Sequence, residues 1–181
     1  MRQAPAYCST NRLNDQCFAL RIRSKIPHPC DLNRTFGTPM KVTLHRLDDA
    51  FHFEAKNAEG QSMFFDASPD IGGHNKGVRP MQTLIMAVGG CSAIDIIMIL
   101  KKQKQTITGF DMEIDAEREK GKEPALWQTA HIIYKLDGEI EPEKAKRACQ
   151  LSMEKYCSVS KTLEVAGCKV TWEVVLNNVS I

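Results

Sequence analysis

The feature that most constrains this chain is an apolar run of 20 residues, MQTLIMAVGGCSAIDIIMIL, which extends from Met81 to Leu100. A helix of this length could cross a membrane. The run, however, contains the hydroxyl of Ser92 and the charge of Asp95, and an unpaired carboxylate at bilayer depth costs a few kcal/mol. We therefore predict a buried helix at the centre of a soluble domain and not a membrane span.

The residues on either side of this run are typical of helix ends. Pro80 suits the first turn of a helix, where a backbone N–H is not needed. Lys101, Lys102 and Lys104 follow the run, and cations near a helix C-terminus interact favourably with the helix dipole. We predict a helix from Pro80 to about Leu100 and attribute the lysines to capping and solvation.

Short strands precede and follow this helix. Before it, alternating or apolar segments joined by turns predict an antiparallel meander of three strands, at about residues 42–46, 51–55 and 63–67. After it, the pattern predicts two strands, a second helix and a closing strand, at about residues 107–116, 130–136, 141–156 and 170–174. This order indicates an α+β fold with antiparallel sheet segments, because the strands are too bunched for βαβ units.

Composition limits the classes of protein that the chain can represent. Hydrophobic residues make up 43% of the 181 residues and charged residues 25%, as in a globular domain with a core of its own. The formal net charge of +2 gives no indication of binding to nucleic acid or to an acidic membrane. Seven cysteines occur without an apolar signal segment and without zinc-ligand spacing, so we expect cytosolic thiols, no metal and no cofactor.

The first 39 residues differ from the rest in composition. They contain six Lys/Arg, two Asp, no Glu and four prolines, a net charge of +4, with no sustained period. Such a segment is typical of an unstructured or leader-like extension, whether a transit peptide, an added leader or the result of a start codon placed too early. We expect residues 40–181 to form the domain, and a chain that begins at Met40 to keep the thermal midpoint and oligomeric state.

Cys91 lies within the predicted helix, directly after Gly89 and Gly90. Two glycines inside a helix cost about 2 kcal/mol relative to alanines, so their presence indicates that something approaches the backbone closely here. The neighbour is either another helix or a ligand. Cys91 itself is either an inert packing residue or a reactive thiol.

Cys157 follows the predicted second helix. A cysteine at a helix end is easier to reach and to move than one in mid-helix, and disulfide formation requires such movement. Cys149, two turns earlier on the same helix, and Cys168, in a turn beside Gly167, are predicted to be packing residues.

A polar, glycine-rich segment, residues 68–77, lies between the third predicted strand and the long helix. Gly72 and Gly73 could cradle an anion, but they lack the G-x-G-x-x-G spacing of a loop between a strand and a helix. We therefore predict a turn.

Three segments of the chain stand out together: RPMQTL (79–84), GGCSAID (89–95) and LSxEKYCSV (151–159). They resemble segments of the OsmC/Ohr family, the osmotically inducible and organic hydroperoxide resistance proteins. The resemblance covers about residues 40–181, is closest to the YhfA-like branch of the family, and includes the order of elements and the long separation of Cys91 from Cys157.

The resemblance implies an OsmC-like fold in which two copies of the chain intertwine as a homodimer, with the long helices packed centrally and two active sites at the interface. It also implies a peroxidase, because the two redox cysteines of the family match Cys91 and Cys157. By this match, Cys91 attacks an organic hydroperoxide or peroxide and becomes a sulfenic acid, and Cys157 then condenses with it to a disulfide. An external dithiol regenerates the pair.

The chain departs from the family in the residues that activate the thiol. The peroxide-reducing members carry a glutamate ten residues before the first cysteine, where this chain has Met81, followed by Gln82. Their activating arginine has no matching motif here, and Arg46 and Arg79 are candidates by proximity in the sequence. Because an arginine held by a carboxylate stabilises a thiolate, we expect Cys91 to react slowly with peroxide by the standards of the family.

Two functional hypotheses follow. The first is a cytoplasmic, homodimeric, thiol-dependent peroxidase that acts through Cys91 and Cys157. The alternative is a noncatalytic small-molecule-binding or redox-sensing protein that keeps the fold and the cysteines without turnover. Catalytic consumption of peroxide in the presence of a dithiol would indicate the first, and a stoichiometric disulfide without turnover would indicate the second.

Overall fold

The structure is a computed structural model that describes residues 39–181. These residues form a three-stranded sheet, a long helix, and a four-stranded sheet with two shorter helices, which confirms the predicted α+β fold. The predicted N-terminal extension, residues 1–39, lies outside the described residues except for Pro39.

The first sheet consists of β1 (Val42–Arg46), β2 (Phe53–Asn57) and β3 (Ser62–Phe65). Its strands pair antiparallel in chain order, so the predicted meander is confirmed. All five residues of β1 are exposed, and none of the three strands contributes to the hydrophobic core of the described chain.

The segment between β3 and the long helix is organised around Asp66, a buried carboxylate. Its oxygens accept backbone N–H bonds from Ala67, His74 and Lys76 at 2.7–2.9 Å. The bond from Lys76 is the largest of the effects that together lower the pKa of Asp66. Gly73 fits here because a Cβ would lie 1.9 Å from the carbonyl oxygen of Ala67. The glycine-rich segment is therefore a turn, as predicted, and the anion that it surrounds is a side chain of its own chain.

The apolar run forms α1 (Pro80–Lys102), close to its predicted limits. The helix buries one side only, which carries Val88, Gly89, Ser92, Ile96 and Leu100. Its other side exposes Leu84, Met86, Ile94 and Met98. Among residues 39–181, α1 is the one helix long and apolar enough to cross a membrane, a property that it shares with the core helices of soluble proteins. Within one chain, the prediction of a buried helix holds for one of its faces.

The second sheet consists of β4 (Thr106–Arg118), β5 (Trp127–Glu139), β6 (Lys169–Leu176) and β7 (Val179–Ser180), in that order. β4 and β5 form a long antiparallel hairpin, whereas β5 and β6 run parallel. The sequence predicted only antiparallel segments. A parallel pair requires a long crossover connection, and the helices between β5 and β6 provide it.

The crossover consists of α2 (Pro142–Leu151), a π-helical turn (Ser152–Tyr156) and α3 (Ser158–Val165). The sequence predicted helix as far as about Tyr156 and did not predict α3. Together with α1, these helices pack against the second sheet and enclose a core that includes Ile96, Ile132, Tyr134 and Cys149.

Candidate active site

Cys91 lies in the middle of α1 and is partly exposed. The residue before it, Gly90, faces open space, since a Cβ added there would meet no atom within 4 Å. An apolar groove of about 660 Å³ extends from Gly90 between α1 and β4, and its lining includes Met86, Met112 and Trp127. Gly90 therefore borders a space in which an apolar molecule could lie, whereas Cys91 is not among the residues that line this space.

The two glycines before Cys91 have different surroundings. A Cβ on Gly89 would lie 3.0 Å from Sδ of Met112 and 3.1 Å from Cδ1 of Ile114, so Gly89 allows α1 to approach β4. The close neighbour of Gly89 is thus a strand of the same chain, whereas the sequence analysis had considered another helix or a ligand. Gly90 has no such neighbour within the described residues.

Cys157 is the partner of Cys91 in the structure. Cys157 is 2% exposed and precedes α3 as its N-cap, where its sulfur accepts the backbone N–H of Ser160 at 3.4 Å. The same sulfur lies 4.0 Å from the carbonyl oxygen of Val88, one turn before Cys91. The Cys91 thiol is among the groups that raise the pKa of Cys157. The fold therefore brings together the two cysteines that the sequence analysis singled out.

The surroundings of Cys157 keep it protonated. Burial, the largest cause, raises the pKa of Cys157 to about 11. The Ser160 N–H opposes this rise, whereas Cys91 and the carboxylate of Asp95 add to it. At neutral pH Cys157 is therefore a neutral thiol, which is a poor nucleophile towards peroxide.

Cys149 and Cys168 are buried in the hydrophobic core, as predicted for packing residues. Burial raises the pKa of Cys149 to about 12. Burial, followed by the charge of Glu164, also raises the pKa of Cys168. Both are therefore inert thiols.

A further link between the two cysteine segments was not predicted from the sequence. Asp95, one turn after Cys91, accepts a hydrogen bond from the hydroxyl of Ser152 at 3.2 Å. Ser152 is fully buried and is the first residue of the π turn. A signal was present, because Asp95 is the one charged residue of the apolar run and a half-buried carboxylate requires a partner.

Comparison with known proteins identifies the family. A family model described as "OsmC-like protein" matches residues 73–173. The chain belongs to the OsmC-like family. It is 33% identical over 115 residues to "Protein YhfA" of Escherichia coli K12, an alignment that covers 63% of this chain and 82% of that protein. The resemblance to the OsmC/Ohr family, and to its YhfA-like branch, is thereby confirmed.

Two solved structures share the fold. A hypothetical protein from Aquifex aeolicus VF5 superposes with a TM-score of 0.64 at 29% identity, over 78% of this chain and 99% of that one. An organic hydroperoxide resistance protein from Elizabethkingia anophelis superposes with a TM-score of 0.61 at 14% identity, over 80% and 99% of the two chains. At 14% identity the second comparison shows the fold alone.

Neither candidate arginine of this OsmC-like chain is bonded to Cys91. Arg46 donates hydrogen bonds to backbone carbonyl oxygens in the turn after β1. Arg79 donates to two backbone carbonyl oxygens of the Asp66 segment and to a side chain there. Its backbone is also about 18 Å from that of Cys91, since an α-helix rises about 1.5 Å per residue. Both guanidinium groups hold turns of their own chain.

The positions that depart from the family pattern have structural partners at the start of α1. The side-chain oxygen of Gln82 accepts the backbone N–H of Arg79 at 3.0 Å and so caps the helix. The carbonyl oxygen of Met81 accepts a bond from Nε1 of Trp127 at 3.1 Å. Along the helix, Met81 lies about 15 Å from Cys91. Within one chain, neither residue is near Cys91.

Proposed function

We propose that this protein is a thiol-dependent peroxidase that reduces organic hydroperoxides through Cys91 and Cys157. The position of Cys157 against the helix turn that carries Cys91, with its sulfur 4.0 Å from the carbonyl oxygen of Val88, carries the proposal. Cys91 is partly exposed, whereas Cys157 is buried and protonated. A two-cysteine peroxidase requires this asymmetry, because one cysteine must be accessible to attack the peroxide and the second must wait to attack the sulfenic acid that forms.

In the first step, the thiolate of Cys91 attacks the terminal oxygen of the hydroperoxide. The O–O bond breaks, the sulfur is oxidised to a sulfenic acid, and the alkoxide leaves and takes up a proton to form the alcohol.

In the second step, the sulfur of Cys157 attacks the sulfenic sulfur of Cys91. An S–S bond forms, the S–O bond breaks, and the hydroxyl group leaves as water with the proton of the thiol. Because burial raises the pKa of Cys157 to about 11, the deprotonated fraction and hence the rate of this step increase as the pH rises towards that value. An external dithiol then reduces the disulfide by thiol–disulfide exchange.

We infer that the working form is a cytoplasmic homodimer. In one chain the outer face of α1 exposes Leu84, Ile94 and Met98, and β1 exposes Val42 and Leu44. Extended apolar surfaces of this kind are typical of protein interfaces. A second copy supplies the same surfaces, and two-fold pairing is the commonest arrangement of identical chains.

Peroxide consumption with excess dihydrolipoamide tests the proposal. We expect Cys91→Ser to abolish consumption, and Cys157→Ser to accumulate a sulfenic acid at Cys91 that dimedone labels. Cys149→Ser, the matched control, should retain consumption. The wild-type protein should form one Cys91–Cys157 disulfide; mass spectrometry that joins Cys149 to Cys157 would contradict the pairing.

A noncatalytic redox sensor or small-molecule-binding protein is the second candidate. The bonds of Arg46 and Arg79 favour it, because both arginines are occupied by backbone carbonyl oxygens and Met81 offers no carboxylate. A thiolate that no cation stabilises reacts slowly. With dithiol in excess, a sensor or binder would consume at most one peroxide per Cys91, whereas a peroxidase would consume many.

A further inference from the structure

The hydrogen bond between Asp95 and Ser152 joins the two segments that carry the cysteines. Asp95 follows Cys91 by one turn on α1, and Ser152 begins the π turn that ends directly before Cys157. The Ser152 hydroxyl donates to Oδ2 of Asp95 at 3.2 Å. One residue of the Cys91 helix thus anchors the start of the segment that leads to Cys157.

Ser152 also holds the backbone of Cys157. The N–H of Cys157 donates to the carbonyl oxygen of Ser152 at 2.8 Å, a bond between residues five apart that closes the π turn. Such turns insert an extra residue into a helix and are frequent at functional sites. Two successive hydrogen bonds therefore connect Asp95 to the backbone of Cys157.

We propose that Asp95 is the positioning residue that sets Cys157 against Cys91 for disulfide formation. This role rests on the two-cysteine chemistry proposed above. Asp95 acts through Ser152, whose hydroxyl and carbonyl groups hold the π turn, and through its charge, which faces Cys157. The bond holds the turn that leads to the Cys157 sulfur, and the charge adds to the burial that keeps this sulfur protonated.

The charge and the bond can be separated by substitution. Among the described residues, the groups that act on the Cys157 thiol are Cys91 and Asp95 from α1, Tyr134 from β5 and the Ser160 N–H at the start of α3. Glu154, Lys155 and Lys161 line the surface pocket beside Cys157, and Asp95 is the carboxylate that acts on its thiol. Asp95→Asn removes the charge and keeps an oxygen that accepts the Ser152 bond, whereas Ser152→Ala removes the bond and keeps the charge.

Reaction with 5,5′-dithiobis(2-nitrobenzoic acid) measures the attack of Cys157 without any peroxide. The Cys91 thiolate attacks the reagent, forms a mixed disulfide and releases one thionitrobenzoate. Cys157 then gives up its proton to solvent and attacks the Cys91 sulfur, forming the Cys91–Cys157 disulfide and releasing a second thionitrobenzoate. The full-length chain is used with serine at three other cysteine positions, Cys8, Cys17 and Cys30.

We expect Ser152→Ala to slow the second release by about 10- to 100-fold, the penalty for a small misplacement of reacting groups, with an unmoved pH profile. The first release should stay at the parent rate. Asp95→Asn should not slow the second release, and its pH profile should move to lower pH because Cys157 ionises more easily. Ser92→Ala, which loses a buried hydroxyl that donates to carbonyl oxygens of its own helix, is the matched control and should behave as the parent.

A second release at the parent rate in Ser152→Ala would overturn the positioning role, as would equal slowing in Ser92→Ala. An unmoved pH profile in Asp95→Asn would overturn the role of the charge. Failure of the peroxidase proposal has a different signature: the second release would proceed as expected here while the protein consumed no peroxide.

Discussion

The two sheets of this protein differ in how they bury their apolar residues. The second sheet buries alternate residues of β5 and is covered by α1, α2 and α3. The first sheet contributes nothing to that core, and Leu44 of β1 is 62% exposed. Both sheets have strand patterns that the sequence predicts equally well, yet only one has a cover within the described chain.

We propose from this difference that the chain completes one half of its structure by itself and that a second copy covers the other half. Fully burying one large apolar side chain is worth about 1.5–3 kcal/mol, so several exposed together represent a substantial driving force for association. α1 belongs to both halves, since its inner face packs on β4 and its outer face exposes Ile94. The following predictions test this division.

The largest effect is expected from replacing the inward glycine of α1. Gly89→Leu should destabilise the fold by about 3 kcal/mol or more, because the new side chain must displace Met112 and Ile114. Gly90→Leu, its matched control, should still fold, but it should weaken the dimer because Gly90 lies on the open side. Urea unfolding and light scattering measure the two effects, and equal destabilisation by both substitutions would argue against a one-sided helix.

A charge on the outer face of α1 should break the dimer. Ile94 is 63% exposed in one chain, and Ile94→Glu should weaken association by about 3 kcal/mol or more, over 100-fold in Kd, if a partner covers it. Val165→Glu on α3, at an 80% exposed position, should leave association unchanged. A wild-type protein that sediments as a monomer at micromolar concentration would contradict the proposal that a second copy covers the outer face of α1.

Asp66 should stabilise the segment between the first sheet and α1 in a pH-dependent manner. Its pKa lies below the ordinary value of 3.8, so its stabilisation is present above about that pH and is lost as the pH falls through the lowered pKa. Asp66→Asn should therefore lower the free energy of unfolding at neutral pH but not in strong acid. Asp70→Asn, at an exposed position of the same segment, should have little effect at either pH.

The smallest effect is expected from restoring the carboxylate of the family pattern. Met81→Glu should leave the reaction of Cys91 with cumene hydroperoxide unchanged, because position 81 is about 15 Å from Cys91 along α1 and Arg79 is occupied elsewhere. Gln82→Glu serves as its neighbour control. Stopped-flow kinetics measure the rate, and a clear acceleration in Met81→Glu would mean that a group from a second chain completes the site.

Much of the fold could be predicted from the sequence, because the signals are local. The run from Pro80 to Lys102 carries its own end signals, and the meander follows from alternation and turn residues. The motifs around Cys91 and Cys157 gave the candidate site, and the fold places the Cys157 sulfur against the helix turn that carries Cys91. Within one chain neither candidate arginine bonds to Cys91, because proximity in the sequence to a helix start says nothing about the middle of the helix.

The sequence by itself thus determined most of the elements, the family and the choice of Cys91 and Cys157 as candidates, since periodicity, end residues and short motifs each operate within a few residues of chain. Only the tertiary structure decided that Gly89 faces β4 while Gly90 faces open space, and that β5 and β6 run parallel. It also decided that Asp95 finds its partner in Ser152. Each of these depends on contacts between segments that are distant in the sequence, and local hydrophobic periodicity does not specify such contacts.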